Sequence, residues 1–386
     1  MHAVCSRDAR LLRLESLVAQ WLRSGAGRLF SLSVRDTPNT GDLMAWPVQY
    51  FPLLKGHTTA FSINGKDIKG KLQRANLTRE DVVIVGGGGL VGYRGPTNFQ
   101  LKIRFVCRMA RCVLWSPGFN LRHTPAKCTL NLTHTNASCV GRQTRDAYSR
   151  LFAGGVKFWI AAGRDFVDLP PGWTSMLDAT CLHRDLSQRC PTAAPKNGSR
   201  PRDSIVLYEY PTSSLDDADR AGISTKGPYQ AHYMHRVVKH LCSAEVVISS
   251  SYHGALWALF LGRRVALINT EERGAKMLMF PFPIRLIGNS TESGLTHRLY
   301  DESNLAQIVE TATAAPDGFL QKTRKANCDF YVRLLDGIVE SWSQQNASRQ
   351  AAARIEAVAA RMEAAAADLR LHFQRLSLEQ SRRFAR

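Results

Sequence analysis

This 386-residue sequence lacks a clean apolar run of membrane-spanning length. A spanning helix needs about 20 predominantly apolar residues, and the best stretch, residues 246–268, is broken by Ser250, His253 and the Arg263-Arg264 pair. The amino terminus lacks the unbroken apolar core of a secretory leader, because Arg7, Arg10, Arg13 and Glu15 punctuate it. Leu11, Leu12, Leu14, Val18 and Leu22 read instead as one face of an amphipathic helix within residues 1–27. The nine cysteines are odd in number and include no Cys-x-x-Cys pair, and no histidine stands at finger-like spacing. That argues against a zinc site and a disulfide framework, and no other set of metal ligands is evident in the sequence. The chain is therefore expected in the cytoplasm or against the inner face of the membrane, where sequons such as Asn76-Leu-Thr, Asn131-Leu-Thr and Asn136-Ala-Ser are chance tripeptides.

Acidic residues are also scarce. Thirty-two Asp and Glu stand against 51 Lys and Arg, a net charge of +19. A composition 44% hydrophobic and 22% charged excludes disorder and collagen-like repeats, so the excess decorates a folded body of two domains. It is uneven: residues 101–150 hold nine basic residues against one acidic, and residues 346–386 hold eight Arg against four. Basic residues interleaved with aromatics in a recognisable module are missing, which turns the reading away from nucleic acid and toward an anionic substrate.

What is present is an alternation of short Val- and Ile-rich runs with helical patterns, which predicts an α/β fold with parallel strands at 28–34, 82–85, 113–116, 156–160, 204–208, 246–249 and 264–268. The Pro-rich, aperiodic segment 191–203 reads as a linker between lobes at 28–190 and 204–345. From residue 346 onward Pro and Gly vanish, and Ile355, Ala359, Met362, Ala366, Leu369, Phe373 and Leu376 alternate spacings of four and three. That heptad stripe predicts one long helix over 346–386. Three readings stay open for it: packing on the body, pairing into a homo-oligomer, or a basic face lying on anionic lipid.

Three segments carry candidate chemistry. Asn39-Thr40-Gly41-Asp42 follows the first strand and precedes a helix beginning at Leu43, with Asp42 suited to cap it. Gly86-Gly87-Gly88-Gly89 follows the second strand, where four glycines imply positive φ or close backbone approach. It is not a Walker loop, since no Gly-Lys-Ser/Thr follows. Ser249-Ser250-Ser251-Tyr252-His253-Gly254 joins a strand to a helix, placing His253 in a first turn whose free amides attract anions. Arg145-Asp146-Ala-Tyr-Ser149 precedes a helix and strand ending at Leu177-Asp178, and Lys276 precedes a Pro-broken apolar segment.

In this order, these motifs resemble the polysaccharide pyruvyl transferase family over about residues 28–285. The resemblance implies two Rossmann-like lobes similar to GT-B glycosyltransferases, with the site between them. It implies that phosphoenolpyruvate donates its enolpyruvyl-derived group to two hydroxyls of a sugar, polymeric or lipid-linked, giving a ketal and phosphate without a cofactor. His253 then matches the proton donor; Ser250, Ser251, Gly254, Lys276, Arg264 and Arg145 are the donor-binding candidates, and Asn39, Gly41, Asp42 and Gly86 to Gly89 line the acceptor side. Ser251 stands where many members carry Arg, and Arg264 where Pro is common. A GT-B glycosyltransferase using a nucleotide sugar is the nearest alternative. A non-catalytic relative or a nucleic-acid-binding basic protein is the more distant one.

Overall fold

Strands buried on both faces need helices on each side, and that requirement produces two layered sheets. The computed structural model describes residues 5, 8–35, 39–63, 65, 67–88, 90–91, 99–118, 133–152, 155–164, 169–191, 201–208, 224–226, 234–269, 277–289 and 302–384. Its first sheet contains β1 (Leu29–Ser33), β2 (Thr58–Ser62), β3 (Val82–Gly86), β4 (Arg111–Trp115), β5 (Ile160–Gly163) and β6 (Thr174–Ser175), in the order β2-β1-β3-β4-β5-β6. The second contains β7 (Ile205–Tyr208), β8 (Ser224–Lys226), β9 (Val246–Ser249), β10 (Arg264–Asn269) and β11 (Arg285–Asn289), in the order β11-β10-β9-β7-β8. All pairings within both sheets are parallel. Each sheet reverses its winding once, between β1 and β3 in the first and between β7 and β9 in the second. Open parallel sheets hold ligands at the carboxyl ends of the strands beside such a reversal.

The helices are α1 (Ala9–Arg23), α2 (Thr40–Met44), α3 (Pro52–His57), α4 (Ile68–Arg74), α5 (Phe99–Met109), α6 (Gly141–Phe152), α7 (Met234–Leu241), α8 (Tyr252–Phe260), α9 (Glu302–Thr311) and α10 (Phe319–Phe384). Asp8 caps α1 by accepting the Leu11 amide at 2.8 Å, and Leu11, Leu14, Val18 and Trp21 form its buried stripe. Leu12, expected on that face, is exposed, because a helix turns 100° per residue and position 12 falls outside the stripe. No helix among the described residues is long and apolar enough to cross a membrane.

The α/β class and the helical tail agree with the sequence reading, and most expected strands lie within a few residues of the observed ones. The strand expected at 156–160 begins only at Ile160, and β2, β6, β8 and β11 went unforeseen. Most of the expected linker lies outside the described residues; Pro201–Ser204 forms a 3-10 turn. The tail helix starts at Phe319, well before 346, and its first turns return to the first sheet. There the Tyr331 ring stacks on Phe51 at 4.0 Å, and Trp115 Nε1 donates to Asn327 Oδ1 at 2.9 Å. From residue 347 to 370 every side chain is exposed, including Ile355, Val358, Met362 and Leu369, so the described part of the stripe is not packed on the body.

The cysteines overturn the expectation of no disulfide framework. Cys5 is bonded to Cys328, Cys107 to Cys112 and Cys190 to Cys242; Cys139 is disulfide-bonded as well, and Cys181 is a buried free thiol. Partners 323 and 52 positions apart meet only once the chain has folded, so their pairing left no local spacing to read.

Candidate functional site

The strand ends at the two winding reversals carry the chemistry-bearing segments. After β1, Asn39 caps α2 by accepting the Gly41 amide at 2.9 Å, so the helix starts at Thr40, not at Leu43. Asp42 is consequently not the cap; it lies in the first turn, half-buried. After β3, Gly87 and Gly88 adopt left-handed φ of 80° and 68°. A side chain on Gly87 would meet the Ala45 carbonyl at 2.3 Å, and one on Gly88 would meet Asp42 Oδ1 at 2.8 Å. The glycine run therefore lets the turn after β3 close onto the end of α2. Gly86, still in the strand, abuts Pro47, and Gly89 lies outside the described residues.

After β9, at the reversal of the second sheet, the three serines organise the entry to α8. Ser249 donates its hydroxyl to the Tyr208 carbonyl at 2.7 Å and accepts the Ser251 amide at 3.0 Å. Ser251 caps α8 by accepting the Gly254 amide, and Ser250 is buried beside it. Gly254 packs where any Cβ would strike the Tyr208 ring at 2.1 Å, which keeps the helix close to β7.

His253 joins the two halves. Its Nε2 is 3.1 Å from Asp178 Oδ2, and both side chains are almost fully buried. The same carboxylate accepts Arg164 Nη1 at 3.2 Å, while its other oxygen accepts the Thr180 hydroxyl at 2.6 Å and the Thr180 amide at 3.2 Å. Burial alone would raise the Asp178 carboxyl. The hydrogen bond from His253, the charges of His253 and Arg164 and the Thr180 hydroxyl outweigh it and hold the group far below the ordinary carboxylate range. The Arg164 guanidinium lies over the Tyr252 ring at 4.3 Å, and the imidazole stacks against Trp257 at 5.7 Å. With Nε2 engaged by Asp178, the Nδ1 side of the ring faces Gly41, where an added Cβ would lie only 2.1 Å away. An imidazole oriented by a buried carboxylate is chemically able to hold and pass on a proton.

The structure thus brings together Asn39, Gly41, Asp42, Gly86, Gly87, Gly88, Ser250, Ser251, His253 and Gly254. It places others elsewhere. Arg264 opens β10 in register with Val246, at the amino ends of the strands and about 10 Å of strand rise from Ser249. There it binds Glu245 and the Val309 carbonyl at 2.5 Å each, so its charge is used to tie the start of β10 to α9. Arg145 is exposed on α6, lining a depression of about 420 Å³ with Tyr148, Ser149 and Pro170. Lys276 lies outside the described residues. Sequence reasoning missed Arg164 and gave Asp178 no role. Nothing local marks either residue, since the pairing depends on a loop after β6 meeting a helix 75 positions away.

No family model matches the chain, and no curated protein matches it. Among solved structures it is similar to a functionally uncharacterised protein from Klebsiella pneumoniae, at 12% identity over 70% of this chain and 94% of that one, with a TM-score of 0.38. It is also similar to the pneumococcal O-GlcNAc transferase solved with UDP and GlcNAc, at 11% identity over 72% of this chain and 58% of that one, with a TM-score of 0.32. A wall teichoic acid polymerase shares 9% identity over 86% and 95% of the two chains, with a TM-score of 0.38.

Proposed function

We propose that this chain is a transferase that passes a group from an anionic donor to a sugar, and that the donor is phosphoenolpyruvate. One observation carries the reading: Gly41 from the first sheet's reversal packs on the imidazole of His253 from the second, and Asp178 holds that imidazole from behind. The residues that the family resemblance nominates for acid and acceptor roles are therefore neighbours.

In this reading His253 is the acid that delivers a proton to the methylene carbon of the donor. The resulting oxocarbenium-like carbon is attacked by one sugar hydroxyl, phosphate leaves, and a second hydroxyl closes the ketal. Asp178 sets the imidazole's orientation and stabilises its charged form, and Arg164 fixes Asp178 in turn. Asp42, half-buried beside Gly88, takes the acceptor side in this reading and would accept a hydrogen bond from a sugar hydroxyl. The donor's carboxylate and phosphate call for cations and helix amides, a role that falls to the first turn of α8 and to Lys276.

A nucleotide-sugar donor is the second reading. Each sheet reverses its winding once, and open parallel sheets hold nucleotides beside such a reversal. The test incubates the protein with phosphoenolpyruvate and a panel of free, polymeric and lipid-linked sugars and measures phosphate, with UDP- and CDP-sugars run in parallel. Acceptor-dependent phosphate release supports the first reading. Turnover of a nucleotide sugar without it supports the second.

A further inference from the structure

The disulfides change the meaning of a motif that the sequence alone left as chance. Three pairs and Cys139 are oxidised, including Cys107 and Cys112, which are buried in the core between α5 and β4. Such usage belongs to chains that fold in an oxidising compartment, where thiols pass two electrons and two protons per pair to a dithiol-disulfide exchange protein. Among the described residues the free thiol is Cys181; it is buried, and burial pushes its pKa well above the ordinary thiol value, so it stays protonated and out of exchange. In a lumenal compartment of this kind an Asn-x-Ser/Thr tripeptide is an acceptor for N-linked glycan.

Three sequons have described asparagine side chains, and their settings differ. Asn346 is half-buried inside α10. Asn136 spends its side-chain oxygen on the Ser138 amide at 3.1 Å and the Ser138 hydroxyl at 2.6 Å. Asn76 follows the last turn of α4, exposed, with a left-handed φ of 46° that Asn tolerates better than most residues. Its backbone is the part that is held: the amide donates to Gln73 and the carbonyl accepts Arg28 Nη2 at 2.9 Å. Leu77 is buried and anchors the turn, and the Thr78 amide donates to Asp81 at 2.8 Å. The Asn76 turn leads into the amino end of β3, whereas the candidate site lies beyond the carboxyl ends. A bulky group on this side chain would disturb neither the core nor the site.

We propose that Asn76 is an N-glycan acceptor and that the chain folds in an oxidising lumen. The Asn76 amide nitrogen bonds to the anomeric carbon of a lipid-diphosphate oligosaccharide. The bond from that carbon to the diphosphate breaks, the lipid diphosphate leaves, and one amide proton is lost to the base of the transferring enzyme.

The test is secretory expression of the full chain in insect cells, followed by peptide N-glycosidase in heavy-oxygen water and peptide mass spectrometry. The Asn76 peptide is expected as labelled Asp; Asn76→Gln abolishes the label, and Thr78→Ser, which preserves the acceptor motif, retains it. Alkylation of the denatured protein without reductant is expected to leave Cys5, Cys107, Cys112, Cys190, Cys242 and Cys328 unmodified. An exported, oxidised chain with unlabelled Asn76, or alkylation of those cysteines without reductant, overturns the proposal.

Discussion

Replacing Gly41 with alanine adds a single methyl group at the contact on which the site depends. Its Cβ would lie 2.1 Å from Nδ1, 2.6 Å from Cγ and 2.9 Å from Cε1 of His253, against an ordinary contact beginning at 3.4 Å. The shortfall at Nδ1 is 3.4 − 2.1 = 1.3 Å. The imidazole has little room to retreat, since Asp178 holds it at 3.1 Å and Trp257 stacks against it. Two effects oppose each other in stability. Alanine favours the helical backbone of α2 by roughly 1 kcal/mol over glycine, while overpacking a tight site costs about 1–3 kcal/mol. The net effect is a loss of roughly 0–2 kcal/mol, small enough to leave the protein folded. Catalysis suffers more, because displacing a reacting group by about 1 Å lowers the rate on the order of 100-fold. Donor turnover measured beside urea unfolding separates the two effects. A Gly41→Ala protein with wild-type turnover and raised stability would refute the contact and the role built on it.

Three further outcomes follow from the same geometry. Asp178→Asn leaves Arg164 and His253 buried without their carboxylate and is expected to lose about 3–5 kcal/mol in urea unfolding. In the wild type the Asp178 pKa is depressed in the folded state, so its contribution is complete above the unfolded value of about 3.9 and declines as pH falls below it; urea midpoints at pH 7, 5 and 3 that decline no faster than those of Asp178→Asn would contradict this. Gly88→Ala, forced to a φ of 68° and onto Asp42, is expected to cost about 1–2 kcal/mol per residue for the left-handed backbone and to raise the acceptor KM more than it lowers kcat; an unchanged KM would remove Asp42 from the acceptor side. Replacing Cys190 and Cys242 with serine frees a span of 52 residues and is expected to destabilise by about 4 kcal/mol, against about 2 kcal/mol for the five-residue span of Cys107 and Cys112, and equal losses would show that chain entropy does not govern these links.

Much of the architecture was legible because it is written in local patterns. The run Val82 to Val85 and the run Val246 to Ser249 are apolar on both faces, and they form central strands. The glycine run was legible as a backbone requirement, and its partner, the end of α2, became visible only in three dimensions. Arg264 misled because a cation near a motif in sequence was taken as near it in space; parallel register instead puts the start of β10 at the opposite edge from the end of β9. Arg164 and Asp178 were illegible for a related reason, since a buried charge network is defined by side chains that converge from distant segments. Two of the disulfides hid in the same way: the long separations of Cys5 from Cys328 and of Cys190 from Cys242 carry no periodic signal.

The account stands most directly on acceptor-dependent phosphate release from phosphoenolpyruvate, compared between the wild type and His253→Ala. It predicts release that requires the sugar acceptor and falls roughly 100- to 10,000-fold on loss of the acid, with the variant's folded state unchanged by circular dichroism. Release at the wild-type rate from His253→Ala, or none from the wild type with any acceptor while a nucleotide sugar is consumed, would contradict it.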